Sequence, residues 1–202
     1  MKTEILGIKG TWLDVLNDCR NTVSKEPLNK EPSDNFKKSI LISEHSPIRD
    51  ISIRWRWESI KSWVATHWVR HKWECFVSTR RTDRTGIDRN SLRQDELVSM
   101  VGDANIQQLI DTARKRLCYQ ASSETRDYMV DLKISIHNLE PDISNVLVPN
   151  CIYRMSCPEM SNCGFINNFI NNNKDINIFD IQERYNRYNE LFYKKYETGI
   201  DK

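Results

Sequence analysis

Between Asp50 and Glu58 the chain alternates strictly, with Ile51, Ile53, Trp55 and Trp57 on one side and Ser52, Arg54 and Arg56 on the other. That period of two predicts a half-buried strand. After Ser59, read as a helix N-cap, the period changes. Ile60, Trp63, Val64, His67 and Trp68 fall at i, i+3, i+4, i+7 and i+8, one helical stripe. Arg70, His71 and Lys72 therefore close this helix or follow its last turn. Upstream, Ile5, Leu6 and Ile8 predict a strand or short helix, and Trp12, Val15 and Leu16 a helix. Pro27 and Pro32 bracket a polar surface connector.

Downstream, residues 82 to 104 carry Gly86 and Gly102 and little periodicity, which predicts mostly loop. A long helix is expected from about Ala104 to about His137. At roughly 100° per residue, Ile106, Leu109, Ile110, Ala113 and Leu117 share an apolar arc, and Asn105, Arg116 and Gln120 line its polar border. Glu124 falls inside the apolar arc, where a carboxylate needs a partner. Pro141 and Pro149 frame the next loop. The tail is asparagine-rich and then helical over residues 178 to 196, with Ile181, Tyr185, Tyr188 and Phe192 as the docking stripe.

A chain of 202 residues, 39% hydrophobic and 29% charged, has material for one core. It is read as one domain over 1–170 and a C-terminal helical tail over 171–202. The net charge of +2 implies no global field for polyanions, so the cluster of Arg70, Lys72, Arg80, Arg81 and Arg84 is a local feature. Roughly 18 successive apolar residues would be needed to span a bilayer, and no run approaches that. MKTEILGIKGTW is too polar for a secretory signal. Six scattered cysteines without an export signal favour reduced thiols and a cytoplasmic protein. Cys151, Cys157 and Cys163 are separated more widely than the tight pairs of common zinc sites, so no metal is expected. His67, on the apolar stripe, reads as a satisfied core histidine.

Three blocks, in order, resemble the flavin-dependent thymidylate synthases. EHSPIRDISIRWRWESIKSWVATHWVRHK resembles the family segment H-x-S-P-x-E-H leading through a strand and helix to an R-H-R signature, here Arg70-His71-Lys72. NIQQLIDTARKRLCYQASSETR is similar to the helix N-A-R…R…A-Q-x-E-I-R, with Asn105, Arg116, Ala121 and Glu124 at matching spacing. PNCIYRMSCPEMSNCG is similar to the closing cysteine segment. The chain departs from the pattern at Lys72, at Asp50 in place of a histidine, and in a shortened linker before Asn105. The serine-x-arginine pair maps to either Thr79-Arg80-Arg81 or Thr82-Asp83-Arg84.

The resemblance implies an α/β (α+β) fold, an antiparallel sheet with flanking helices, and reductive methylation of dUMP to dTMP. Methylenetetrahydrofolate would give the carbon, reduced FAD the electrons, and NADPH would be the reductant. It places Arg70, His71, Lys72 and Asn105 on the flavin, Arg116 on the uracil as the catalytic cation, Gln120 beside it, and Arg81 or Arg84 on the substrate phosphate. It also implies a homotetramer with sites between subunits. Asparagine and isoleucine richness fits an AT-rich, phage-type genome, which would put the protein in a host cytoplasm. The alternatives are a flavoenzyme acting on another pyrimidine nucleotide, or a non-catalytic binder of nucleotide or single-stranded nucleic acid that tracks phosphates with arginines and stacks bases on tryptophans.

Overall fold

In the computed structural model, residues 3–197 are described. Strand β1 (Thr3–Lys9) leads through Gly10 into helix α1 (Trp12–Asn21), opened by a reciprocal cap between Thr11 and Asp14. Helix α2 (Asp34–Ser43) and a 3-10 turn (Ser46–Asp50) follow. The predicted strand is β2 (Ser52–Lys61), and Ile53, Trp55 and Trp57 are buried as their alternation requires. It runs past Ser59, which is not a helix cap. Ser59 sits at φ 57° where the β2–β4 register shifts, and Lys61 is the N-cap of α3 (Ser62–Trp68). The strand absorbs the bulge because Ile60 beyond it is still fully buried.

After the Arg70-His71-Lys72 turn come β3 (Glu74–Val77), the short helix α4 (Thr82–Thr85) and a 3-10 turn at Arg89–Ser91. The expected loop over 82–104 is corrected at its far end, because Leu97–Asn105 is strand β4. Its inward residues, Val98, Met100, Gly102 and Ala104, pair with Ile60, Trp57, Trp55 and Ile53 of β2, and the smallest, Gly102, lies opposite Trp55. The sheet is antiparallel throughout, in the order β1-β2-β4-β3.

The single long helix is also corrected. It is two helices, α5 (Ile106–Arg116) and α6 (Ser123–His137). Ser122 and Ser123 turn their hydroxyls to the Glu124 carboxylate, a local bonding habit that favours a helix start over an interior. Glu124 thus sits in a first turn, 44% exposed and 3.7 Å from Lys61, not in an apolar arc. Helices α7 (Pro141–Asn145), α8 (Asn150–Arg154), α9 (Phe165–Asn172) and α10 (Ile181–Glu197) follow, with α7 packed on α6, α8 on α5, and α10 on α7 and α8.

Helix α10 buries Tyr185, Tyr188 and Phe192 against its own chain. Arg184 donates to the carbonyls of Ile152 and Ile178. Lys133 of α6, fully buried, donates to the carbonyl of Ser144 at 2.6 Å and to Asn189 Oδ1 of α10 at 2.7 Å, with Phe192 at 5.0 Å. Burial pushes this amine well below its ordinary pKa. Residues 198–202 of the predicted tail lie outside the described residues. Among the described residues no helix is long and apolar enough to cross a membrane.

Candidate functional site

The site begins with a nest of tryptophans. Trp55 and Trp57 of β2 pack with Trp68 and Trp73 at centroid distances of 4.8 to 5.6 Å. Three of them are completely buried. The signature turn is the short chain between the last two. His71 lies between Trp68 (6.0 Å) and Trp73 (5.4 Å), and the Trp73 indole donates to the Trp68 carbonyl at 2.9 Å. A rigid aromatic floor therefore fixes where Arg70 and Lys72 leave the backbone.

Helix α5 grips the same turn from the other side. Asn105 ends β4 and caps α5, accepting from Gln108 N at 3.0 Å while Gln108 Oε1 accepts from Asn105 N at 2.8 Å. Gln108 Nε2 donates to the Lys72 carbonyl. One helical stretch on, Arg116 Nε donates to His71 Nε2 at 2.8 Å and Arg116 Nη2 to the His67 carbonyl at 2.7 Å. Because Nε2 accepts, the neutral ring carries its proton on Nδ1. Burial, then the Arg116 charge, holds His71 down to about 4. Burial, then Arg70, lowers the Arg116 guanidinium.

Between the turn and α5 lies a cavity of about 490 Å³, lined by Arg49, Arg70, His71, Lys72, Asn105, Gln107, Gln108, Asp111 and Thr112. Arg70, Lys72 and Arg49 form no ion pair among the described residues. Asp111, on the same wall, is already engaged by Gln107 at 3.3 Å and Arg114 at 3.5 Å. Unpaired cations at the N-terminal end of a helix make a setting for anions.

The fold thus brings Arg70, His71, Lys72 and Asn105 to one cavity, with Arg116 bonded to His71. The other candidates are elsewhere. Gln120 is in the turn between α5 and α6, not on a shared helix edge, and donates to the Ser161 carbonyl at 3.2 Å. Arg81 forms a forked pair with Asp83 (2.7 and 3.0 Å) and lines a different groove with Arg80, Arg89 and Arg93. Arg84 lies 3.7 Å from the same Asp83. His67 bonds Thr125 Oγ1 at 2.8 Å and does not line the cavity. Cys118, Cys151, Cys157 and Cys163 line a small apolar cavity, and burial pushes the Cys151 thiol up to about 12. Among the described residues no three His, Cys, Asp or Glu side chains are arranged to hold a metal ion. The reading from sequence missed Arg49 and Gln108. The Asn105-x-x-Gln108 capping pattern was the available signal for Gln108; Arg49 had none.

No family model matches the sequence, and no curated protein matches it. Solved structures do. A UMP/dUMP methylase PolB from Streptomyces cacaoi, bound with 5-Br dUMP, is 13% identical with TM-score 0.57, over 72% of this chain and 93% of that one. The flavin-dependent thymidylate synthase ThyX from Helicobacter pylori, complexed with FAD and dUMP, is 11% identical with TM-score 0.58, over 73% and 98%. At such identities the likeness is one of fold: this chain has the ThyX-like sheet with flanking helices.

Proposed function

We propose that this chain is a flavoprotein that methylates dUMP at C5 of the uracil, in the manner of flavin-dependent thymidylate synthases. The observation that carries the reading is the cavity in which Arg70 and Lys72, unpaired, face the capped start of α5. Its residues fit a flavin nucleotide: cations without counterions suit phosphates, and Asn105 and Gln108 offer amides to a polar ring edge. Arg70, His71, Lys72 and Asn105 would hold FAD. A bound reduced flavin would supply the electrons, with NADPH as their source and methylenetetrahydrofolate as the carbon donor.

Arg116 would be the catalytic cation. Two of its five N–H donors are spent on His71 and the His67 carbonyl. Those bonds set the plane of the guanidinium, and the remaining donors can stabilise negative charge developing on the uracil carbonyls. Arg81, Arg84 and Gln120, away from the cavity in one chain, would contribute as substrate ligands from another copy in a homotetramer. The likeness to a UMP/dUMP methylase supports a second reading, with the ribonucleotide as substrate. The nucleic-acid reading loses its main support, because Trp55, Trp57 and Trp68 are fully buried and offer no face for base stacking.

The test is reconstitution with FAD followed by calorimetry with dUMP and UMP. The protein is expected to turn yellow and bind a pyrimidine nucleotide, and Arg70→Ala to lose flavin while keeping its melting temperature. Wild-type protein that takes up no flavin would sink the reading.

A further inference from the structure

The cavity at the signature turn is half of a longer groove. A second lobe, about 460 Å³, is lined by Ser52, Trp73, Glu74 and Asp103. The two lobes share four residues: Arg49, Lys72, Asn105 and Gln108. The junction therefore carries two cations, neither paired with a carboxylate among the described residues. The lobes differ in charge. Arg70 adds a cation to the first, while the second presents Glu74 and Asp103, the latter bound to Lys9 at 2.7 Å.

Arg49 is held in place by its backbone. It follows Ile48, fully buried, in the 3-10 turn after Pro47. Gly10 packs against the Asp50 carbonyl so closely that a Cβ there has no room. Ile106 N bonds the Ile51 carbonyl at 3.0 Å, tying the exit of the turn to the start of α5. The guanidinium thus projects from a fixed stem at the seam of the two lobes.

We infer that Arg49 and Lys72 form a diphosphate clamp, and that Arg49 makes the groove select a flavin dinucleotide over a mononucleotide. The inference rests on the flavin reading above. A diphosphate is a compact double anion between two bulky groups, which matches a two-cation junction with a lobe on either side. The carboxylates of the second lobe suit the hydroxyls of a ribose and repel a terminal phosphate. A mononucleotide would leave that lobe empty and use the junction with a single phosphate.

The experiment titrates FAD and FMN into wild type, Arg49→Ala and Arg49→Lys by flavin fluorescence, with thermal melts to confirm folding. Wild type is expected to prefer FAD. Arg49→Ala should weaken FAD by roughly tenfold to a hundredfold, the loss of one charge-assisted contact. FMN should weaken less, so that the preference collapses, and Arg49→Lys should keep most of it. Equal wild-type affinities for FAD and FMN, or an Arg49→Ala variant that melts normally and loses both flavins equally, would overturn the clamp and leave the flavin reading standing. Wild type that binds neither flavin would overturn both.

Discussion

Arg116 and His71 act as one unit, and their bond can be read by titration. His71 sits at about 4 in the folded chain against 6.5 for a free imidazole. As pH falls from about 6.5, the unfolded chain takes up this proton first, so His71 makes stability fall with pH until about 4. Asp50 slopes the other way. A hydrogen bond with Asp18, then burial, raises its carboxyl to about 6, so its contribution is complete below 3.8 and lost as pH rises through about 6. Both proteins in a comparison of wild type with Arg116→Gln keep Asp50, so its slope cancels; the same charge also lowers His67, so His71 is followed through its own ring resonances. Removing the neighbouring charge should move the His71 ring resonances to titrate at higher pH and reduce the acid-side loss of stability. An unchanged ring titration would mean that burial alone sets this histidine. The sequence made both residues visible as candidates, but not their bond, since it joins positions on two different elements.

Strand β4 escaped sequence reading because its inward positions end in Gly102 and Ala104, which carry no hydrophobic signal. The reason is across the sheet: Gly102 is the partner of Trp55, and a Cβ at 102 would run into that indole ring. Trp55 cannot yield, being fully buried with Trp57 and Trp73 at 5.5 and 4.9 Å. Gly102→Ala should therefore destabilise by about 1–3 kcal/mol, the ordinary cost of overpacking. Because Trp73 follows Lys72, flavin affinity should fall as well. Urea unfolding beside a flavin titration checks both, and an unchanged midpoint would show that the strands slide to make room. By contrast, β2 was plain in the sequence, since Ile53, Trp55 and Trp57 bury large groups on one face with Arg54 and Arg56 opposite. The break between α5 and α6 was hidden for another reason: Leu117 keeps the helical spacing and is itself buried, although it is already the C-cap of α5.

At the scale of the whole molecule, α10 closes the core over Lys133. Deleting residues 175–202 removes Asn189, one of the two oxygens that receive the Lys133 amine, and uncovers the face buried by Tyr185, Tyr188 and Phe192. The truncated chain should melt several degrees lower, and an unchanged melting temperature would show that the helix is dispensable. The order β1-β2-β4-β3 has a different kind of consequence, for the chain as it is made. During synthesis β2 leaves the ribosome long before its inner neighbour β4 exists, and among the described residues β3 has no strand partner other than β4. Until residue 105 has emerged, the tryptophans of β2 lack their cover and the signature turn has no α5 to grip it. Assembly must wait for these distant pairings, which slows it and leaves a sticky nascent sheet exposed meanwhile. The segment that carries the cations therefore takes shape only after β4 and α5 have been made.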